Sequence, residues 1–111
     1  MDEIVEYSYL YDFYGGLLKE NHRLIFEDYI LNNLSLGEIA RDRDITRQGV
    51  HDTIKRCKKK LRDYEDKLQL VKKFEITKDK LQEIEEIASQ GQDKERAKSI
   101  SKLAQEIYDM I

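Results

Sequence analysis

Arg47, Gln48, His51, Asp52 and Lys55 are the polar side chains left on one side of a helical segment once Val50, Ile54 and Cys57 are assigned to its inward face. Arg and Gln carry paired hydrogen-bonding groups that match guanine and adenine in the major groove, each good match giving roughly 1–3 kcal/mol of discrimination. Arg56, Lys58, Lys59 and Lys60 follow directly and supply positive charge of the kind a phosphate backbone attracts. The chemistry on offer is recognition of nucleic acid, with these nine residues as candidate contacts. A plain solvated helix face is the competing reading, because Arg, Gln and Lys are common surface helix formers.

Charge is distributed in a way that favours a localised site. The whole chain is net −3 with pI ≈ 5.5, which argues against a general nucleic-acid binder. Residues 41–62 nevertheless hold nine basic side chains against three acidic ones, whereas residues 1–40 hold two against eight and residues 63–111 nine against twelve. A basic patch in an acidic frame predicts weak, steeply salt-dependent binding.

The elements that must position these residues follow from caps and periodicity. Ser35 followed by Glu38 is a capping box, so a short helix starts at Leu36 and puts Leu36, Ile39 and Ala40 on one face. A polar turn over residues 42–44 precedes Ile45 and Thr46, and Thr46 is an N-cap for a second helix beginning at Arg47. This is a helix-turn-helix. Upstream, Leu10, Phe13, Tyr14, Leu17 and Leu18 keep helical spacing across Gly15-Gly16, which reads as one helix, with a loop at the glycines as the alternative. A further helix runs from Asn21 as cap to about Leu31, with Leu24, Ile25, Tyr29 and, at its edge, Phe26 as its apolar face.

Downstream, Val50, Ile54, Cys57, Leu61, Tyr64, Leu68 and Val71 repeat with alternating steps of four and three, the heptad seam that keeps one stripe facing a partner helix. The second helix is therefore expected to continue unbroken to about Phe74, a rod of about 40 Å. Its far half needs a cover, either the same helix of a second subunit or the chain's own C-terminal helices. Thr77 and Asp93 are the caps expected for two such amphipathic helices, with Gly91 ending the first.

Catalysis finds no support in the sequence. His22 and His51 have no sequence-defined partner, Glu85 and Glu86 point to different helix faces, and there is no phosphate-binding glycine loop or metal-spaced cluster. The expectation is a protein that is not an enzyme and uses no cofactor. Cys57 is the single cysteine, so neither an intramolecular disulfide nor a thiolate metal cluster is expected. No apolar run approaches the ~20 residues of a membrane span and no signal-peptide pattern opens the chain, which predicts a cytoplasmic protein.

The segment Leu34-Ser-Leu-Gly-Glu-Ile-Ala followed by Ile45-Thr-Arg-Gln-Gly-Val-His-Asp-Thr-Ile-Lys-Arg resembles the reading motif of region four of bacterial sigma factors. With Tyr9-Leu-Tyr-Asp-Phe-Tyr-Gly-Gly-Leu-Leu18 and Tyr64-Glu-Asp-Lys-Leu68 it resembles the YlxM family of helix-turn-helix proteins, over about residues 1–75. That resemblance implies a small regulatory protein encoded beside the signal recognition particle GTPase, with a part in protein targeting. The chain lacks the polymerase-binding regions of a sigma factor, so the motif is kept here without them.

The expected fold is thus all-α: a sigma region-four-like helix-turn-helix domain, unrelated to winged helices, over residues 1–75 with an extended recognition helix, and an amphipathic helical segment over residues 76–111. The expected partners are a second copy of the chain and DNA, with components of the signal recognition particle as the alternative and no membrane insertion.

Overall fold

Six α-helices account for nearly all of residues 3–91 and 93–110, the part of the chain that the computed structural model describes. They are α1 (Glu3–Tyr14), α2 (Glu20–Ile30), α3 (Leu36–Arg43), α4 (Arg47–Leu68), α5 (Leu70–Ser89) and α6 (Lys94–Met110), with no strand among the described residues. The chain divides into two units, one running to Gln69 and the other starting at Leu70.

In the first unit α4 is the central element. Its inward residues Val50, Ile54, Cys57 and Leu61 are 0–5 % exposed, and α1, α2 and α3 all pack on it. Phe26 and Ile39 meet this stripe from α2 and α3, both with no exposed surface. Tyr7, Leu10 and Tyr14 recur at intervals of three and four along α1 and are all buried, the spacing by which a helix presents one face to a core.

Two helical expectations are corrected upstream. The chain does not run as one helix through the glycines: α1 stops at Tyr14, Gly15–Leu17 form a single 3-10 turn, and Leu18 is extended. Gly15 permits this because a Cβ there would sit 2.6–2.8 Å from the Tyr11 ring, whose other neighbour is Phe26 at 5.9 Å. The reversal buries Leu18 and leaves Leu17 on the surface. Helix α2 then starts two residues earlier than a cap at Asn21 would place it, with Lys19 at the cap position and no side-chain cap; the Asn21 amide oxygen takes the neighbouring His22 N–H.

The third correction concerns α4. It ends at Leu68, not near Phe74, because Gln69 adopts a left-handed conformation (φ 54°, ψ 32°) and its N–H closes on the Glu65 carbonyl. The heptad seam is used within the unit: α1 covers it as far as Tyr14, whose ring stacks on Tyr64 at 5.9 Å and whose hydroxyl donates to Glu65 at 2.5 Å. Past that point the cover runs out, and Leu68 is 47 % exposed.

The second unit is a helical hairpin. Helix α5 runs straight through Thr77, which is therefore not a cap, and the connection passes through Gly91 at φ 129°. Asp93 does cap α6, its carboxylate accepting the Arg96 N–H at 2.8 Å. A Lys80–Glu106 ion pair ties α5 to α6, yet neither helix has a fully buried residue.

Candidate nucleic-acid interface

Helices α3 and α4 are set by the caps their sequence encodes. Ser35 Oγ accepts the Glu38 N–H and the Glu38 carboxylate accepts the Ser35 N–H, both at 3.1 Å. Donation to the carboxylate from the Ser35 backbone N–H, and then from its side chain, holds the Glu38 carboxyl below its ordinary value. Asp44 closes α3 in a left-handed conformation (φ 54°). Thr46 Oγ1 then accepts the Gly49 N–H at 2.9 Å, and a Cβ at Gly49 would crowd that oxygen at 3.1 Å.

The turn is locked to α2 by an ion pair. Arg43 Nε donates to Asp28 Oδ2 at 2.9 Å, and the Asn32 amide approaches the other carboxylate oxygen at 3.4 Å. Asp28 is the one buried charged residue among those described. Its bond raises the Arg43 pKa further, and the pair ties the C-terminal end of α3 to α2.

On α4 the nine candidate contacts separate into free and engaged groups. Arg47, Lys55, Arg56 and Lys60 are exposed and have no ion pair among the described residues. Gln48 is exposed but donates to Asp52 at 2.9 Å, and His51 Nδ1 lies 3.5 Å from the same carboxylate. Lys59 pairs with Asp63 at 2.9 Å, an exposed contact one turn away of a kind that contributes little.

Lys58 is different. It is turned into the first unit, bonded to Glu3 at 2.6 Å and seated over the Tyr7 and Tyr29 rings at 5.2 and 5.3 Å. Burial pulls its ammonium pKa down, but the Glu3 bond and the neighbouring Tyr29 and Tyr7 hydroxyls lift it above the ordinary value overall. Arg62 is held in the same way, donating to the Tyr7 hydroxyl and pairing with Glu6 at 3.3 Å. The acidic start of α1 thus engages two cations of the second half of α4, Lys58 and Arg62.

A cleft of about 310 Å³ runs beside the free half, lined by Tyr29, Leu36, His51, Ile54, Lys55 and Lys58. Tyr29 and Leu36 enter the site from α2 and α3 and could be read from sequence only as core positions; no linear signal distinguishes a half-buried aromatic at a site from one in a core. Cys57 takes no part. Burial pushes its thiol up to about 11, so it stays protonated and unreactive. Among the described residues no group of three or more His, Cys, Asp or Glu side chains is placed to hold a metal ion, and no helix is long and apolar enough to cross a membrane.

A capped short helix, a tight left-handed turn and a second helix offering an exposed polar face define the helix-turn-helix class. A sequence profile of the UPF0122 family, described as "Putative helix-turn-helix protein, YlxM / p13 like", matches residues 1–103. The chain belongs to that family. It is 43% identical over 113 aligned positions to a UPF0122 protein of Thermoanaerobacter sp. (strain X514), covering 98% of this chain and 97% of the relative. It is 49% identical over 85 positions to a UPF0122 protein of Caldanaerobacter subterraneus, covering 77% and 73%. With the UPF0122 protein YlxM of Bacillus subtilis it shares 38% over 95 positions, 86% of each chain.

Proposed function

We propose that this chain is a cytoplasmic, non-catalytic regulator that reads duplex DNA with α4 in the major groove. The observation that carries the reading is the set of exposed cations without ion pairs among the described residues, Arg47, Lys55, Arg56 and Lys60, flanking the polar ridge of Gln48 and Asp52. A helix in the major groove meets base edges along its ridge and phosphates on both sides. Gln48 matches adenine and Arg47 guanine, while Asp52 accepts from the cytosine amino group.

The test is binding of selected and random duplexes followed by fluorescence anisotropy. Arg47→Ala is expected to leave stability within about 0.5 kcal/mol, as exposed substitutions do, and to weaken binding strongly. Gln48→Ala is expected to change which duplex is preferred, whereas Lys55→Ala should weaken all duplexes alike and reduce the salt slope by about one. Equal loss on selected and random DNA for Gln48→Ala would show that it does not read bases.

One observation favours a second reading, an accessory module that contacts RNA or protein of the signal recognition particle. The seam expected to pair two reading helices is buried against α1, α2 and α3 instead, so it does not set the two-half-site spacing of a dimeric repressor. Co-purification of the particle's RNA with tagged protein, in the absence of DNA fragments, would favour it.

A further inference from the structure

The first turn of α2 docks on α4, where the Cys57 thiol reaches the His22 carbonyl at 3.7 Å. This contact brings together side chains far apart in sequence. The charges that act on His22 are Arg56 from α4, Lys19 at the cap position of α2 and Lys60 from α4. Lys19, Arg56 and Lys60 are exposed and have no ion pair among the described residues. Arg56 and Lys60 flank Cys57 on α4, and Lys19 and His22 bracket the start of α2, so the Cys57–His22 contact gathers four groups able to carry positive charge. Such an arrangement is unfavourable on its own and is relieved by a bound anion.

We infer that Lys19 and His22 of α2, with Arg56 and Lys60 of α4, form a phosphate-binding clamp for one strand of duplex DNA. With 3.6 residues per turn, Arg56 lies about two and a half turns beyond Arg47 and so on the opposite side of the helix, and Lys60 follows Arg56 about one turn later. The clamp therefore occupies the flank of α4 away from Arg47, where a helix seated in the major groove meets the second backbone. The same turn is the positive end of the α2 dipole, which also favours an anion. The inference rests on the DNA-reading proposal above and extends it to two residues of α2.

His22 gives the clamp a signature. Burial, then Arg56, Lys19 and Lys60, lower its pKa in the free protein; a phosphate among these groups reverses the charge effect and raises it. Binding then takes up a proton, so affinity falls as pH rises between the free and bound values, around the ordinary histidine value of about 6.5.

The experiment uses the full chain and a duplex oligonucleotide, with affinity measured by anisotropy against salt and between about pH 5.5 and 7.5. Lys19→Ala is expected to lower the salt slope by about one without changing sequence preference. His22→Gln is expected to remove part of the pH dependence, and thermal melting checks that the variant is folded. Binding by wild type with the salt slope unchanged in Lys19→Ala and the pH profile unchanged in His22→Gln would overturn the clamp and leave the DNA reading standing. Failure of the wild type to bind any duplex would overturn the DNA reading and the clamp with it.

Discussion

Thr46 and Glu38 show how much of this site depends on single oxygens. Thr46 Oγ1 satisfies the Gly49 amide at the start of α4, one of the donors a helix leaves open. Thr46→Ala is expected to cost about 1 kcal/mol in urea unfolding while Thr46→Ser costs less, because serine keeps the acceptor. Glu38 adds a pH dependence. Its carboxyl is held below the ordinary value by the Ser35 bonds, so its contribution is present above the unfolded value of about 4.3 and is lost as pH falls through the lower folded one. Unfolding midpoints followed between about pH 5 and 2 should therefore fall less steeply in Glu38→Gln than in wild type, since glutamine keeps the capping bond without titrating. Identical slopes would mean that the capping box contributes nothing to acid stability.

At the scale of the element, the end of α4 is the feature with most consequence. Gln69 sits at φ 54°, a conformation that costs an L-residue roughly 1–2 kcal/mol and that glycine adopts freely. Gln69→Gly is therefore expected to be neutral or stabilising by up to about 1 kcal/mol. In an unbroken helix to residue 74 the same change would destabilise by about 1 kcal/mol, so the sign of the change in chemical denaturation decides between the two. The acidic start of α1 has a comparable role: by holding Lys58 and Arg62 through Glu3, Glu6 and Tyr7, it withdraws two cations from the basic surface of α4.

For the molecule as a whole, the question is whether the heptad seam lies inside one chain or between two. Leu61 has no exposed surface and Leu68 is about half exposed, although both occupy the same seam. Leu61→Ala is expected to cost about 2–5 kcal/mol, as a filled core position does, and Leu68→Ala far less. Unfolding of the first unit should not depend on protein concentration, because its core is completed by α1, α2 and α3. A midpoint rising with concentration, and abolished by Leu61→Ala, would place the seam between subunits.

The capping residues Ser35, Glu38, Thr46 and Asp93 were legible in the sequence because a cap is a bond between residues three positions apart, decided before the chain folds. The inward face of α4 was legible for a similar reason, since Val50, Ile54, Cys57 and Leu61 repeat with the period of a helix. What covers that face was not, because a heptad specifies a stripe and leaves the identity of its partner open. Tertiary structure decided that α1 supplies the cover as far as Tyr14 and that the helix stops at Gln69, a residue type with no tendency to mark an end. It also decided which cations remain available: Lys58 and Lys60 are two residues apart and look alike in sequence. One is held by Glu3 and the other faces solvent near His22, because only the packing of α1 and α2 on α4 brings distant charges to one cation and not to the next.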